Sequence, residues 1–514
     1  MVIPFDRRPP RRPEGPIDVF VASLFTVLQW PTVGLLLLGV GIGFVVGILP
    51  GLGGAVTLAL MLPFIYDMDP IPAFAFLLGM HAVVATTGDI TSVLFGIPGE
   101  GTAVATIFDG HPMARRGEAG RALGAVLFSS LVGAIIGAAV LALSVPIMRP
   151  LVLSFGPPEF FMLAMLGITF VVALSGGNLV RGFLMALLGF VVAMVGLDPF
   201  TGKARLAFGQ LYLWDGLSII PVILGLFAVP ETLQLMSTKG SIAQGVAAPI
   251  TRVMDGVLDT IRHWWVTLRC SLIGVIVGII PGMGGATAQF IAYAHAQQTS
   301  KTPEEFGKGS IEGVLAAGAV NNSKEGGAII PTVAFGVPGS TAMAILLGAF
   351  LILGLVPGPD MLTKHLNVTF SMVWVIVIAN LLAVALSFLL LRQLVALTFV
   401  KGTWLVPFLL VLMTIGAYTT HNDVLDIVVM LVFGALGWGA IRFGWPRAPF
   451  LLAFVLGPTV ERYLFLSHQL YEWGFLLRPV TMVLIALAAL GVAYSVRRER
   501  ADRRAARSRT GAAA

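Results

Sequence analysis

Two stretches of this chain place proline and glycine where the backbone itself, rather than any side chain, can do chemistry. Gly47-Ile48-Leu49-Pro50-Gly51-Leu52-Gly53-Gly54-Ala55 lies inside an apolar segment long enough to enter a membrane, and Gly278-Ile279-Ile280-Pro281-Gly282-Met283-Gly284-Gly285-Ala286 restates it. A helix running into either stretch loses a donor at the proline and meets glycine's entropic penalty just beyond, so it breaks. In lipid such a break survives only where the freed backbone faces protein or a watery cavity. The second half-helix then starts with unpaired N–H groups that carry roughly half a positive charge and bind anions. Gly51, Gly53, Gly54, Gly282, Gly284 and Gly285 would let a ligand approach that backbone with no Cβ in the way, and Thr57 and Thr287 stand just beyond as hydroxyl donors.

A second pair of turns follows the first in the same order. Phe95-Gly96-Ile97-Pro98-Gly99 leads to Thr102, and Phe335-Gly336-Val337-Pro338-Gly339 leads to Ser340 and Thr341, so Pro98, Gly99, Pro338 and Gly339 join the expected anion site. Before each turn runs polar sequence between apolar flanks: Thr86-Thr87-Gly88-Asp89-Ile90-Thr91-Ser92 and Asn321-Asn322-Ser323-Lys324-Glu325. Such sequence is costly in lipid unless it lines a cavity, and an ionisable residue at depth is a functional candidate by default. Thr87, Asn321 and Asn322 are therefore expected among the substrate contacts, with Lys324 facing a substrate carboxylate. Asp89, Thr91, Ser92 and Glu325 are expected to hold a coupling Na⁺ or proton. A structural ion pair, Lys324 with Glu325 or with Asp89, explains the same charges, and the sequence leaves both roles open.

The elements that must position these residues are membrane helices. The chain is 57% hydrophobic and 11% charged, with mean hydropathy +0.93, far from a soluble domain's roughly one-quarter charged residues. Its net charge of +6 does not point to nucleic acid, because the arginines crowd two places: Arg7, Arg8, Arg11 and Arg12 before the first apolar run, and seven between Arg497 and Arg509 after the last. Clusters beside spans are what cytoplasmic segments carry. The single cysteine, Cys270, excludes an intramolecular disulfide and a cysteine metal cluster. No phosphate-binding Gly-x-x-x-x-Gly-Lys-Ser/Thr, zinc-binding His-Glu-x-x-His or nucleophile-elbow Gly-x-Ser-x-Gly occurs, which argues against ATP use and against an enzyme. No cofactor or metal is expected beyond a coupling ion. The proline-broken N-terminus lacks the shape of a cleavable signal.

The expected fold is an all-α polytopic membrane protein of about 10–14 transmembrane helices, some broken or re-entrant, in two repeats. Pro50 and Pro281 stand 231 positions apart and Pro98 and Pro338 stand 240 apart, so two matched motifs keep their order in both halves. That is the mark of a duplicated unit, and paired broken helices favour the inverted arrangement. The organisation read from this is a basic, disordered head (1–16), a first membrane repeat (17–230), a polar linker (231–265), a second repeat (266–496) and a basic cytoplasmic tail (497–514). Gly43 and Gly47, like Gly274 and Gly278, have the four-residue spacing of close helix packing. His81, His111 and His295 stand singly and read as packing or loop residues. Residues 109–121, with Asp109, Arg115, Arg116 and Arg121, read as a surface loop.

These blocks resemble the large membrane subunit of the tripartite tricarboxylate transporters, the TctA family. The resemblance is carried by 47–55 and 281–286, by Gly96-Ile97-Pro98-Gly99 with Asp109-Gly110-His111-Pro112-Met113-Ala114, and by Gly156-Pro157-Pro158-Glu159. It continues in Asp215-Gly216 with Ile219-Ile220-Pro221, in Gly225-Leu226-Phe227, and in Ala448-Pro449 with Leu456-Gly457-Pro458 and Glu461. It covers nearly all of 20–495. The resemblance implies a permease in the bacterial inner membrane working with a small, TctB-like membrane subunit and a periplasmic, TctC-like solute-binding protein. It also implies uptake of di- or tricarboxylates driven by a Na⁺ or H⁺ gradient. An anion channel, or a membrane scaffold or enzyme without transport activity, is the alternative. Thr87-Gly88-Asp89, Gly96 and Glu100 depart from the family's pattern, and a fixed negative charge at Glu100 is awkward beside an anion site.

Overall fold

Runs of about twenty alanine, leucine, valine and glycine residues leave the backbone one way to satisfy its N–H and C=O groups in lipid, the α-helix. The computed structural model describes residues 15–49, 53–174, 179–237, 250–397 and 405–511, and it is helical almost throughout. The first half holds α1 (Pro16–Leu28), α2 (Thr32–Gly47), α3 (Gly54–Met61), α4 (Pro70–Phe95), α5 (Val104–Met113), α6 (Ala119–Leu153), α7 (Pro157–Leu174) and α8 (Leu179–Ala193). A two-residue antiparallel pair follows, β1 (Gly196–Leu197) with β2 (Ala204–Arg205). Next come α9 (Ile219–Ile223), a π turn (Leu224–Ala228) and α10 (Val229–Ser237). The second half holds α11 (Val253–Arg262), α12 (Trp264–Ile279), α13 (Gly284–Thr299), α14 (Ile311–Phe335), α15 (Thr341–Ile352) and α16 (Leu366–Leu397). It closes with α17 (Val406–Tyr418), α18 (Val424–Phe443), α19 (Ala448–Tyr471) and α20 (Pro479–Gly511). Among the described residues seven helical segments are long and apolar enough to cross a membrane, and α1 with α2, bent by 68°, makes an eighth. Six shorter apolar helices accompany them, α3 and α13's partner α12 among them.

The two halves repeat one packing plan. In the first, Gly39, Gly43 and Gly47 of α2 lie against the backbone of α4 at Phe76, Met80 and Val84, so closely that a Cβ on any of them would collide. In the second, Gly274 and Gly278 of α12 lie in the same way against Val320 and Lys324 of α14. Met80 and Val84 are the residues that stand 240 positions before Val320 and Lys324, so the contact is duplicated residue for residue. Lipid offers no hydrophobic drive between helices, so small residues that allow backbones to meet supply the attraction. This is the role expected of these glycine pairs.

α4 and α14 are buried on every side over most of their length, as a helix at the centre of a membrane bundle must be. They are clasped reciprocally: α6 of the first half packs on α14, and α16 of the second half packs on α4. Several of their polar residues bond between helices. Asn322 points its amide nitrogen at Thr86 Oγ1, Ser130 Oγ and Asn380 Oδ1, each 2.7 Å away, tying α14 to α4, α6 and α16.

Two stretches differ from their expected form. Residues 109–121 form no surface loop. They are helical, kinked at Gly117 (φ 83°), and Asp109 is fully buried because it caps the start of α14. Of the polar stretch 231–265, residues 238–249 lie outside the described residues; the rest includes α11, whose Gly256 seats on the α6 backbone at Arg121 and Ala125. Residues 1–14 of the head also lie outside the described residues.

Candidate functional site

Four glycine-containing segments converge on one cavity of about 730 Å³. Its wall includes Gly53 and Gly54 at the start of α3, Pro98, Gly99 and Thr102 of the first Pro-Gly turn, Gly282, Gly284, Gly285 and Thr287 around the start of α13, and Pro338, Ser340 and Thr341 before α15. The segments are held together by the same close approaches in both halves. Gly99 sits where a Cβ would strike Gly88 and the Gly47 carbonyl, and Gly339 sits where one would strike the Gly278 carbonyl and Ala328. The first contact is fixed by the Gly99 N–H, which donates to the Gly88 carbonyl at 3.2 Å. Gly282 (φ 80°) and Gly284 (φ 70°) take the left-handed conformation that a non-glycine residue strains to adopt.

The first turns of α3, α13 and α15 therefore open onto this cavity with N–H groups that have no helical partner. No side chain caps α3 at Gly53 or α13 at Met283, while at α15 the Ser340 hydroxyl accepts the Met343 N–H at 3.2 Å. A cavity edged by helix N-termini and hydroxyls favours an anion.

Arg447, Glu231 and Phe227 also line the cavity, and sequence reading did not place them there. Arg447, at the N-cap of α19, donates to Glu231 Oε1 at 2.9 Å and to the Leu226 carbonyl at 3.1 Å, with its guanidinium 5.0 Å from the centre of the Phe227 ring. The π turn 224–228 is what presents that carbonyl and ring, since widening the helix displaces its backbone from the regular ladder. Glu231 had been assigned to the linker. The signal that could have found Arg447 is its place just before the Ala448-Pro449 block.

Charged groups gather behind the wall. Glu100 lines the cavity, and its Oε2 is buried without a hydrogen-bond partner. His81 lies beneath Gly54, with Nε2 3.3 Å from Glu325 Oε2; the two are within ion-pair distance but not aligned for a hydrogen bond. Glu325 Oε1 accepts from Lys324 Nζ at 2.5 Å. Lys324 and Glu325 flank a void of about 10 Å³ bordered by Gly284, Gly285, Gly339 and Ser340. Lys324 thus sits behind Gly285, paired with Glu325, instead of opening onto the main cavity.

The remaining expected site residues are placed as follows where the structure describes them. Gly51 and Pro50 are outside the described residues. Thr57 turns its hydroxyl to the Gly53 carbonyl at 3.0 Å, and Thr87 turns its own to the Val83 carbonyl at 2.9 Å. Thr91 and Ser92 both donate to the Gly88 carbonyl at 3.1 Å. Asp89, fully buried, accepts from Thr106 at 2.7 Å and from the Asn321 amide at 2.8 Å. Thr57, Thr87, Asp89, Thr91, Ser92, Asn321 and Asn322 are not on the cavity wall. The physical reason is common to all: a helix interior offers carbonyls and neighbouring amides that satisfy short polar side chains without water. Asn321 reaches the wall at one remove, accepting from Thr102 Oγ1 at 3.4 Å. Among the described residues no three His, Cys, Asp or Glu side chains gather as metal ligands.

A duplicated body of membrane helices, with breaks that meet at one shared cavity, is the architecture of a multi-pass membrane transporter. The family described as the tripartite tricarboxylate transporter TctA family matches residues 33–452, and the chain belongs to it. It is 32% identical over 472 residues to an uncharacterized 52.8 kDa protein in the TAR-I ttuC' 3' region of Agrobacterium vitis, covering 91% of this chain and 92% of that one. A second uncharacterized protein, in the TAR-II ttuC' 3' region of the same organism, is 36% identical over 191 residues, 37% of this chain and 79% of the other.

Proposed function

We propose that the chain is the large permease subunit of a bacterial inner-membrane system that takes up di- or tricarboxylates. It works with a small membrane subunit and a periplasmic binding protein, and a cation gradient drives it. The observation that carries this reading is the cavity wall: three helix N-termini, one from the first repeat and two from the second, edge a single space. A carboxylate held there is met by backbone N–H groups and by Arg447, and needs few other cations. Repeat-related walls also suit alternating access, in which one bundle rocks against the other around a central site, most simply with the repeats inverted.

The test is accumulation of labelled carboxylate in proteoliposomes holding the full chain and its small subunit, with the binding protein added outside. Accumulation that requires both an imposed ion gradient and the binding protein supports the proposal. Leakage independent of both overturns it in favour of a channel.

A further inference from the structure

We propose that Glu100, His81 and Glu325, the last held by Lys324, form one proton-accepting chain joining the two helix breaks, with Glu100 taking the coupling proton from the cavity. The inference rests on the transport reading above and names the ion that reading leaves open.

Two of the three links are direct approaches, and the third, between Glu100 and His81, spans the space at Gly54. His81 Nδ1 and Glu100 Oε1 flank Gly54, lying 2.5 Å and 3.3 Å from the point where its Cβ would stand. Across the imidazole, Nε2 is 3.3 Å from Glu325 Oε2, and the other oxygen of Glu325 holds Lys324. Lys324 Nζ in turn lies 2.8 Å from the corresponding Cβ point of Gly285. Gly54 opens the first broken helix and Gly285 lies in the first turn of the second. Only the absence of side chains at these two glycines leaves room for the chain.

Glu100 Oε2, both ring nitrogens of His81 and Glu325 Oε2 lack aligned hydrogen-bond partners although buried. Buried polar atoms in this state are rare, and a polar site that exchanges protons explains them. The other charged groups on the packed elements are engaged or distant. Asp89 is held by Thr106 and Asn321, Asp109 by Tyr293 and the α14 N-terminus, Arg121 by Asp259 and Glu118, and Arg447 by Glu231. His111 Nδ1 lies on the Val93 carbonyl. Glu312 and His295 stand roughly 15–18 Å along their helices from the chain, and α2 and α3 bring no titratable side chain.

With Glu100 and Glu325 ionised, Lys324 charged and His81 neutral, the four carry one net negative charge. A hydronium ion in the cavity gives its proton to Glu100 and leaves as water. Relayed by a water in the space at Gly54, the proton can pass from Glu100 to His81, whose imidazolium faces Glu325, and release to water on the other side reverses the step. Until the proton arrives, an entering anion meets an unpaired carboxylate, so anion and proton load together.

The full chain, reconstituted with its small subunit and binding protein, would be given ¹⁴C-labelled citrate, succinate and malate under a pH gradient or a Na⁺ gradient alone, with lumenal pyranine reporting protons. Wild type is expected to accumulate one of these acids at least tenfold on the pH gradient, with one or more protons entering per anion. Glu100→Gln and His81→Gln are expected to cut that proton-to-anion ratio at least tenfold, whatever rate remains, and Glu100→Asp is expected to restore it if the glutamine variant is inert. Wild-type accumulation on Na⁺ without proton entry overturns the chain and leaves the transport reading standing. So does a wild-type ratio in E100Q, or loss of coupling in Asp89→Asn alone. No uptake of any of the three acids under either gradient overturns the transport reading as well.

Discussion

The carboxylate of Asp109 caps Ser310 across the two halves of the chain: one oxygen accepts the Ser310 N–H at 2.8 Å and the Gly309 N–H at 2.7 Å. The other accepts the Tyr293 hydroxyl at 2.7 Å. A helix N-terminus leaves N–H groups without partners, and an aspartate oxygen is among the best groups to take them. Asp109 does this from a helix two hundred residues earlier, so the cap also joins the first repeat to the central helix of the second.

Asp109→Ala is therefore expected to destabilise the protein by about 2–3 kcal/mol, since two N–H groups and a part-buried hydroxyl lose their acceptor together. Asp109→Asn should cost less, because one amide oxygen can still accept. Thermal unfolding of the purified full chain in detergent measures both. An alanine variant that melts with wild type would show that the cap contributes nothing.

Arg447 is the cationic side chain best placed on the cavity wall, oriented by Glu231, the Leu226 carbonyl and the Phe227 face. The planar guanidinium can keep these contacts and still offer N–H groups to a carboxylate, which a lysine ammonium cannot reproduce. Arg447→Lys is expected to raise the apparent KM for the transported carboxylate about tenfold, equivalent to ~1.4 kcal/mol, with the maximal rate changed less. An unchanged KM in initial-rate uptake would reduce Arg447 to a strut for Glu231.

The glycines of the wall are not equivalent, and this separates steric from conformational roles. A Cβ at Gly53 would have only Glu100 Cγ nearby, at 3.6 Å, whereas one at Gly285 would crowd the Lys324 ammonium at 2.8 Å and the Thr102 side chain. Gly53→Ala should leave uptake within about twofold of wild type, and Gly285→Ala should lower it at least tenfold with normal membrane insertion, because an overpacked site displaces what lines it. Gly282→Ala should instead lower stability, being strained at φ 80° and blocked by the Phe170–Val171 backbone. Equal uptake in the Gly53 and Gly285 variants would count against this assignment.

The duplicated Pro-Gly motifs were legible because breaking a membrane helix takes particular residues, and because each occurs twice in order. Twelve of the expected substrate contacts, from Gly53 to Thr341, do line the cavity. The polar runs were harder to read. Asp89, Asn321 and Asn322 have the composition of cavity-lining residues, yet hydroxyls and amides on neighbouring helices satisfy them away from it. Which of the two a buried asparagine does depends on helices far away in sequence, such as α16 with Asn380. His81 was read as a packing or loop residue, and Arg447 was not singled out, for the converse reason. A single histidine or arginine has no periodicity, and its partners Glu325 and Glu231 lie more than two hundred positions away.

The cluster around Asn322 makes the last prediction. Its amide nitrogen has three oxygens at 2.7 Å but two hydrogens to give, and its own Oδ1 has no partner. Thr86 also donates to Asn380 Oδ1 at 3.0 Å, so removing Asn322 leaves a smaller network that still closes. Inside a membrane bundle such bonds average about 0.6 kcal/mol each and reach about 1.7. Asn322→Ala should therefore destabilise by about 1–2 kcal/mol, well short of three independent bonds. In a double-mutant cycle, Asn322→Ala and Asn380→Ala should couple by about 0.5–1.5 kcal/mol. Unfolding of both single variants and the double variant in mixed micelles measures that coupling. Strict additivity would mean that Asn322 and Asn380 do not share an interaction, and that the polar cluster adds nothing to the frame around the cavity.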